Sequence, residues 1–545
     1  MILKGAGKRS ALQSPTPTEN RMSNKKIAAM LLGTLLACAT HSWAQDRVID
    51  VDVKAVKGKL NQTFNLTIGA GRANEGLRAD WQQQLAEIKR DAGFKYIRMH
   101  GLLNDDMGVY GGTDAQGNER YNFQYIDSLF DYLLSIGVKP FVELGFMPQA
   151  MASGSQTIFW WRGNVTPPTS YEKWEKLIGA LTQHWTERYG SKEVASWYFE
   201  VWNEPNLNDG FWMGTQADYF KLYAHAARGI KSVNPSYRVG GPATAGAAWI
   251  PEMIAYCVQN KVPLDFVSTH TYGVGEGYLD EFGTKGTVLS ADDTAIVGDV
   301  LRNRKEIEAS AMPGLELHYT EWSSSYTASD PTHDSYHQAA YILDKLTQVG
   351  NAAQSMSYWV FTDIFEEPGP RFEVFHGGFG LMNTQGIKKP AYFAYQFLNQ
   401  LGQNELANPD KRSMATTDGK GNVQILLWDY TYTLPEKVNN QQFFIKDLPP
   451  KNKGDVQLSL KGLKKGAYTM EISQVGYKRN DAFTAYIGLG SPKQLTRPQV
   501  ATLKSIANGK PTERKKVQVG ADGKLSMKLP LRENDVYLLN LRAAQ

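Results

Sequence analysis

The sequence predicts an α/β protein, a (β/α)8 TIM barrel followed by an all-β sandwich accessory domain. Three observations carry this. Eight short β-rich runs alternate with amphipathic helical stretches between about residues 66 and 400, which is what a closed parallel barrel requires. The first run ends in Gly69-Ala70-Gly71 without the rest of a dinucleotide fingerprint, and no P-loop sequence occurs, so a doubly wound open sheet lacks its usual signature. After Gln400 the pattern changes to strand-like runs punctuated by Gly, Asn, Pro and Lys.

Taken in chain order, residues 1–44 read as a signal peptide. Met22 is the expected true start, Asn24-Lys25-Lys26 supplies a cationic n-region, and Ile27 to Ala39 an apolar h-region too short to span a bilayer. Ser42-Trp43-Ala44 precedes a cleavage site before Gln45. Leu35-Leu36-Ala37-Cys38 resembles a bacterial lipobox, but simple export to the periplasm or beyond is the preferred reading. The formal net charge of +4 comes from this leader, which holds Lys4, Lys8, Arg9, Arg21, Lys25 and Lys26 against Glu19 alone. The remainder is close to neutral, with no basic run to track phosphates, which excludes nucleic acid as a partner. No later stretch has the length of a membrane span. The two cysteines are Cys38, in the leader, and Cys257, in an apolar helical pattern, so the mature chain forms no internal disulfide and Cys257 reads as core.

Residues 45–64 contain the strand-like Arg47–Val56, expected to join the sandwich. The barrel is assigned to residues 65–400, with strands at Leu66–Gly69, Tyr96–His100, Lys139–Gly145, Ser196–Trp202, Arg238–Gly241, Asp265–Thr271, Leu315–Glu321 and Met356–Asp363. Between them, Trp81, Leu85, Ile88 and Ala92 repeat at helical spacing before Gly93. Ile126, Leu129, Phe130 and Leu133 do so before Gly137, and Trp174, Leu177, Ile178, Leu181 and Trp185 before Gly190. The sandwich is assigned to residues 401–545. Its strands are expected at Val423–Thr433, Gln442–Lys446, Asp455–Leu460, Tyr468–Gln474, Phe483–Gly488, Lys516–Val519, Lys524–Leu529 and Val536–Leu541, with Ala521-Asp522-Gly523 as a hairpin turn.

Barrel enzymes do their chemistry at the C-terminal ends of the strands. Strand four runs into Trp202-Asn203-Glu204-Pro205 and strand seven into Thr320-Glu321-Trp322, so each delivers a glutamate flanked by aromatics. Two carboxylates facing each other across a barrel mouth are the minimum equipment for glycoside hydrolysis. One must be protonated to donate to the leaving oxygen, the other ionised to attack the anomeric carbon. Nearby tryptophan faces suit sugar C–H surfaces and lower the local polarity.

These residues resemble the family 39 glycoside hydrolases, a retaining family built on (β/α)8 barrels. The similarity runs from about Asn65 to the C-terminus. Its markers are Tyr96 to Gly101, Trp197 to Leu207, Asp265 to Tyr272, Tyr319 to Trp322 and Phe375 to Leu381, with Ala485-Tyr486 and Gly490-Ser491-Pro492 in the sandwich. The resemblance implies that Glu204 is the acid/base, Glu321 the nucleophile, and Asn203 a partner of the sugar 2-hydroxyl. It also implies double displacement without metal or organic cofactor. The word xylose comes from it: an exo-acting β-D-xylosidase trimming xylo-oligosaccharides. The same fold accommodates an α-L-iduronidase, an α-L-arabinopyranosidase or an endo-acting glycosidase. A carbohydrate-binding protein that lost turnover is a further alternative, which two retained glutamates argue against.

Other residues are expected to support this pair. Arg98 and His100 end strand two, where Arg98 either holds Glu321 ionised or pairs with Glu143 or Glu200. His270 and Tyr272 lie two apart, hence on one face, and are expected to contact the sugar or the nucleophile. Trp322, Glu366 and Phe375 are expected at the substrate, as are some of Phe159-Trp160-Trp161 and Phe211-Trp212. Glu366 or Glu367 would bond ring hydroxyls, forming an acidic rim unfavourable to a carboxylated sugar. His333 and His337 have metal-ligand spacing but no third ligand, and read as structural.

Overall fold

The computed structural model describes residues 46–208, 210–275 and 286–544. The expected leader lies outside the described residues. Residues 45–545 form one compact unit. Among the described residues, no helix is long and apolar enough to cross a membrane.

Eight parallel strands close the barrel: Thr67–Arg72, Tyr96–His100, Lys139–Leu144, Tyr198–Val201, Arg238–Thr244, Phe266–Tyr272, Glu316–Ser323 and Ser355–Tyr358. The helical stripes face it. Trp81, Leu85, Ile88 and Ala92 are buried on helix Ala79–Ala92, which Gly93 ends in the left-handed conformation, its N–H on the Lys89 carbonyl. Helices Gln124–Ser135 and Tyr171–Tyr189 bury their stripes in the same way. The barrel floor is aromatic: the Phe141 and Tyr198 rings stack at 4.8 Å, and the Phe266 ring meets both edge-on. That floor puts a wall below the polar residues described next.

Two sheets follow the barrel. Arg47–Asp52 pairs in parallel with Asn452–Lys461, which pairs antiparallel with Leu525–Arg532. The second sheet has seven strands, with Val423–Trp428, Val536–Ala543 and Gly466–Val475 at its centre. The run Val423–Trp428 is buried throughout because this sheet is covered on both faces. Ile425 and Leu427 pack with Ile49, Val51 and Leu458 of the smaller sheet, whereas Leu426 and Trp428 join the core of the barrel helices. The sandwich is therefore fused to the barrel through one sheet face.

Three local expectations are corrected. Phe483–Gly488 is not a strand but lies in helix Ala482–Gly488, capped by the Asp481 side chain on Thr484 N–H. Gln442–Lys446 likewise contains the end of a short helix, Asn440–Phe443, started by a capping box between Asn439 and Gln442. In both places the cap outweighs the aromatic β-propensity. The turn at Ala521-Asp522-Gly523 does not join paired strands. Glu513–Val519 pairs with Gly466–Val475 in one sheet and Leu525–Arg532 with Asn452–Lys461 in the other, so the turn crosses between sheets. Strands Asn404–Leu406 and Ser413–Thr417 and helix Arg497–Ile506 are further elements that the sequence pattern did not single out.

Candidate active site

The glutamates at the ends of strands four and seven meet over the barrel mouth. After Val201 the chain leaves the sheet sharply, with Trp202 and Glu204 both in the left-handed region (φ 71° and 45°), and the Glu204 N–H bonds the Ala243 carbonyl on strand five. Holding two non-glycine residues there costs on the order of 1–3 kcal/mol each, which the surrounding packing must offset. The turn aims the Glu204 carboxyl across the mouth at Glu321. One oxygen of each, with a ring nitrogen of His270, lie within 4.8 Å of one another.

Arg98, on strand two, is the hub beneath them. Its guanidinium donates to Glu321 Oε1 (2.7 Å), to Asn203 Oδ1 (2.8 Å) and to Glu200, and lies 2.9 Å from Glu143 Oε2. All the alternatives left open for this arginine are thus realised at once. It is wholly buried and, among these carboxylates, remains charged. Glu200 and Glu143 stand side by side on adjacent strands in matched register, so the arginine meets both.

The two glutamates differ in what surrounds them. Burial pushes both carboxyls up, but Glu321 is opposed by Arg98 and by the Tyr272 hydroxyl, which donates to Oε2 at 2.6 Å. Glu204 is raised well above the usual carboxylate range, first by burial and then by the charge of Glu321. Its neighbour His270 is held neutral by burial. Hydrogen bonds fix the proton's place. Thr320 Oγ1 donates to Glu200 Oε1 (2.7 Å), so it accepts from His270 Nε2 (3.2 Å). That leaves Nδ1 as an acceptor for the Glu204 carboxylic proton at 2.9 Å. The contacts therefore favour the proton on Glu204 over Glu321.

A cavity of about 500 Å³ opens above the pair. Asn203, Glu204, Glu321, His100 and Tyr272 line it. His100 is pushed down to about 3 by burial and by Arg98, with Nδ1 on Glu143 (2.6 Å) and Nε2 3.4 Å from Glu321. His270 stands behind Glu204, off the cavity wall.

Three expected substrate contacts lie elsewhere. Trp322 follows Glu321 on the strand, so period-two alternation turns it outward, where it is fully buried against Tyr358. Glu366 is held by Arg72 (2.8 Å) and Arg78 (3.0 Å), and its neighbour Glu367 enters the cavity instead. Phe375 packs on Phe483 and Tyr486 of the sandwich. Of the loop aromatics, Phe211 lines the cavity and Phe159 lies against the His100 ring, whereas Trp160 is exposed and Trp161 and Trp212 are buried. Sequence reasoning missed Trp359, Phe379, Tyr326 and Asp299. Trp359 directly follows strand eight, Ser355–Tyr358, the position where barrels display function, but the sequence pattern carried that strand on to Asp363.

Glu204, His270 and Glu321 are spaced to hold a cation, but the donor set fits one poorly. A guanidinium already occupies Glu321, and His270 Nδ1 is already bonded to Glu204 Oε1. His333 and His337 point to separate structural partners, Ser323 and Gly377 for one, Ser335 and Thr433 for the other. The buried Cys257 thiol is pushed up to about 12.

Known proteins share this framework. The chain is 41% identical to a β-xylosidase of Caldicellulosiruptor saccharolyticus over 82% of its length and 88% of that protein's. A solved GH39 enzyme from Xanthomonas axonopodis pv. citri superposes with a TM-score of 0.90 at 44% identity, covering 94% of this chain and all of that one. A monomeric β-xylosidase from Caulobacter crescentus CB15 superposes with 0.89 at 46% identity, covering 92% and 100%. The model of the glycosyl hydrolases family 39 matches residues 47–526, which with the paired glutamates above the Arg98 hub leaves one conclusion: the chain belongs to glycosyl hydrolase family 39.

Proposed function

We propose that this glycoside hydrolase is an exo-acting β-D-xylosidase that releases xylose from the non-reducing end of xylo-oligosaccharides with retention. The observation that carries the mechanism is the unlike environment of two carboxyls whose oxygens approach within 4.8 Å. So close an approach favours the near-set pair of a retaining enzyme over the pair roughly 6.5–9.5 Å apart that an inverting enzyme uses. Glu321, ionised beside Arg98 and Tyr272, attacks the anomeric carbon while Glu204 turns the proton it holds against His270 Nδ1 onto the departing oxygen. The glycosyl ester removes the negative charge of Glu321, so the Glu204 pKa falls and the carboxylate can take a proton from the incoming water. Asn203, with its side-chain oxygen on Arg98, has its amide free to meet the sugar 2-hydroxyl.

The sugar follows from the β-xylosidase relatives, which match over most of both chains. Exo action is the reading we give to Glu367, Trp359 and Phe379, which line the cavity after strand eight. We further read residues 65–400 as the catalytic barrel and 401–545 as a sandwich that buttresses it. The cationic n-region and apolar run of residues 24–39 favour export with cleavage after Ala44.

Purified protein should be assayed on a panel of nitrophenyl glycosides, with the product anomer followed by NMR. Hydrolysis of the β-xyloside with β-xylose formed first is the expected result. Activity confined to another glycoside would discard the sugar, and an inverted product would discard the mechanism.

A further inference from the structure

A second buried ion cluster lies outside the Arg98 hub, and the proposed reaction does not use it. Lys389, which precedes helix Pro390–Asn399, is wholly buried. Its ammonium lies 2.6 Å from both Asp334 Oδ1 and Asp363 Oδ2 and donates to the Gly378 carbonyl at 2.8 Å. Burial opposes its charge, but the two aspartates hold it protonated. The second oxygen of each aspartate is also engaged, Asp334 Oδ2 by the Gly377 N–H and Asp363 Oδ1 by the Gly380 N–H, both at 2.7 Å. His333 Nδ1 donates to the Gly377 carbonyl at 2.9 Å. The main chain at residues 377, 378 and 380 is thereby fixed. A Cβ at any of these three glycines would collide with Asp330 or Asp363, so the turn fits the cluster closely.

The turn presents a single side chain, Phe379, which is buried and lines the catalytic cavity. Its ring meets Phe365 edge-on at 5.4 Å, and Phe365 meets Trp359 edge-on at 6.1 Å. Trp359 in turn lies 4.7 Å from the His100 ring and 5.8 Å from the Arg98 guanidinium. A row of packed rings thus runs from the turn to the cavity wall beside the Arg98 hub, and close packing passes a displacement at one end to the other. We infer that Lys389 is a positioning residue for substrate binding: it locks the Gly377–Gly380 turn, so that Phe379 holds its place in the cavity wall and supports Trp359 through Phe365. The inference rests on the reading of this cavity as the substrate site.

The test measures kcat and KM for Phe379→Ala, Lys389→Met and Asp363→Asn, singly and with each cluster variant combined with Phe379→Ala. A wall that holds the sugar equally in ground and transition states acts on KM. Phe379→Ala and Lys389→Met should therefore raise KM roughly tenfold while kcat changes far less. Asp363→Asn keeps an acceptor for the Gly380 N–H and leaves Lys389 paired with Asp334, so it folds where Lys389→Met, with two unpaired carboxylates, does not. It should raise KM roughly threefold by the same reasoning. Combined with Phe379→Ala, neither cluster variant should raise KM beyond that of Phe379→Ala alone, because the cluster acts through that ring. A merely structural role would lower the amount of folded enzyme, and with it the apparent kcat, at constant KM. That outcome, an unmoved kcat and KM, or KM increases that multiply in the double variants would overturn the inference. Wild-type activity on a glycoside other than the β-xyloside would discard the sugar alone, and the same comparison on that glycoside would decide the role of Lys389.

Discussion

Glu75 sits at the root of the loop that carries Glu367, and replacing it with glutamine should stabilise the protein at neutral pH. The carboxyl is 1% exposed. Its Oε1 accepts the Glu366 N–H at 2.8 Å, and its Oε2 is buried with no hydrogen-bond partner among the described residues. Arg72 and Arg78 lie nearby but are engaged by Glu366, Asp106 and Asp80. Burial, reinforced by the charge of Glu366, pushes Glu75 from 4.5 up to about 8. The sign follows from proton counts. Between these values the native state keeps a proton that the unfolded chain has released, so stability falls as pH rises, by about 1.4 kcal/mol per pH unit. At pH 7 the loss reaches about 3 kcal/mol, which glutamine avoids while still accepting the Glu366 N–H. With an unfolding entropy of about 2.1 cal/mol/K per residue, that is roughly a 3 °C rise in Tm for a unit of this size. Denaturation of wild type and Glu75→Gln should be followed from pH 5 to 8. The gap should be nearly closed at pH 5 and widen steadily. A gap independent of pH, or one that widens on acidification, would refute the reasoning.

Glu204→Ala should cost on the order of 10²–10⁴ in kcat/KM on substrates with poor leaving groups and far less on activated aryl glycosides. Added azide should restore turnover with a retained glycosyl azide; an inverted azide product would mean the two glutamates have exchanged roles. Tyr272→Phe removes a donor from ionised Glu321, so its pKa rises and the acidic limb of the kcat/KM profile should move up by roughly 1–2 pH units. An unmoved limb would show that the hydroxyl does not govern the nucleophile's ionisation. Gly377→Ala forces a Cβ to 2.4 Å from the Asp330 carbonyl carbon at φ 73°, and left-handed strain alone costs about 1–3 kcal/mol. A lowered Tm is expected, and wild-type stability would count against the tight approach.

How much the sequence determines depends on the range of the interaction that decides each feature. The helical stripes, the eight alternating runs and the glutamates after strands four and seven are local patterns, set by 3.6- and 2-residue periodicity, and the barrel follows from their order. The caps at Asp481 and Asn439 are equally local, yet aromatic neighbours outweighed them in the reading because β-propensity mostly records burial, which one sequence cannot display. Period two was available to turn Trp322 away from the mouth once Glu321 was placed inward. Other features belong to the tertiary structure alone. Whether Glu366 or Glu367 enters the cavity depends on Arg72 and Arg78, some three hundred residues earlier in the chain. The three carboxylates around Arg98 come from three strands, and the sheet that Ala521-Asp522-Gly523 leaves or enters depends on pairing partners far away. Ionisation is the furthest from sequence. Glu204 and Glu321 are the same residue type beside the same kinds of neighbour, and only the three-dimensional placement of Arg98, Tyr272 and His270 makes the proton favour one over the other, because charge energies depend on distance and burial rather than on order along the chain.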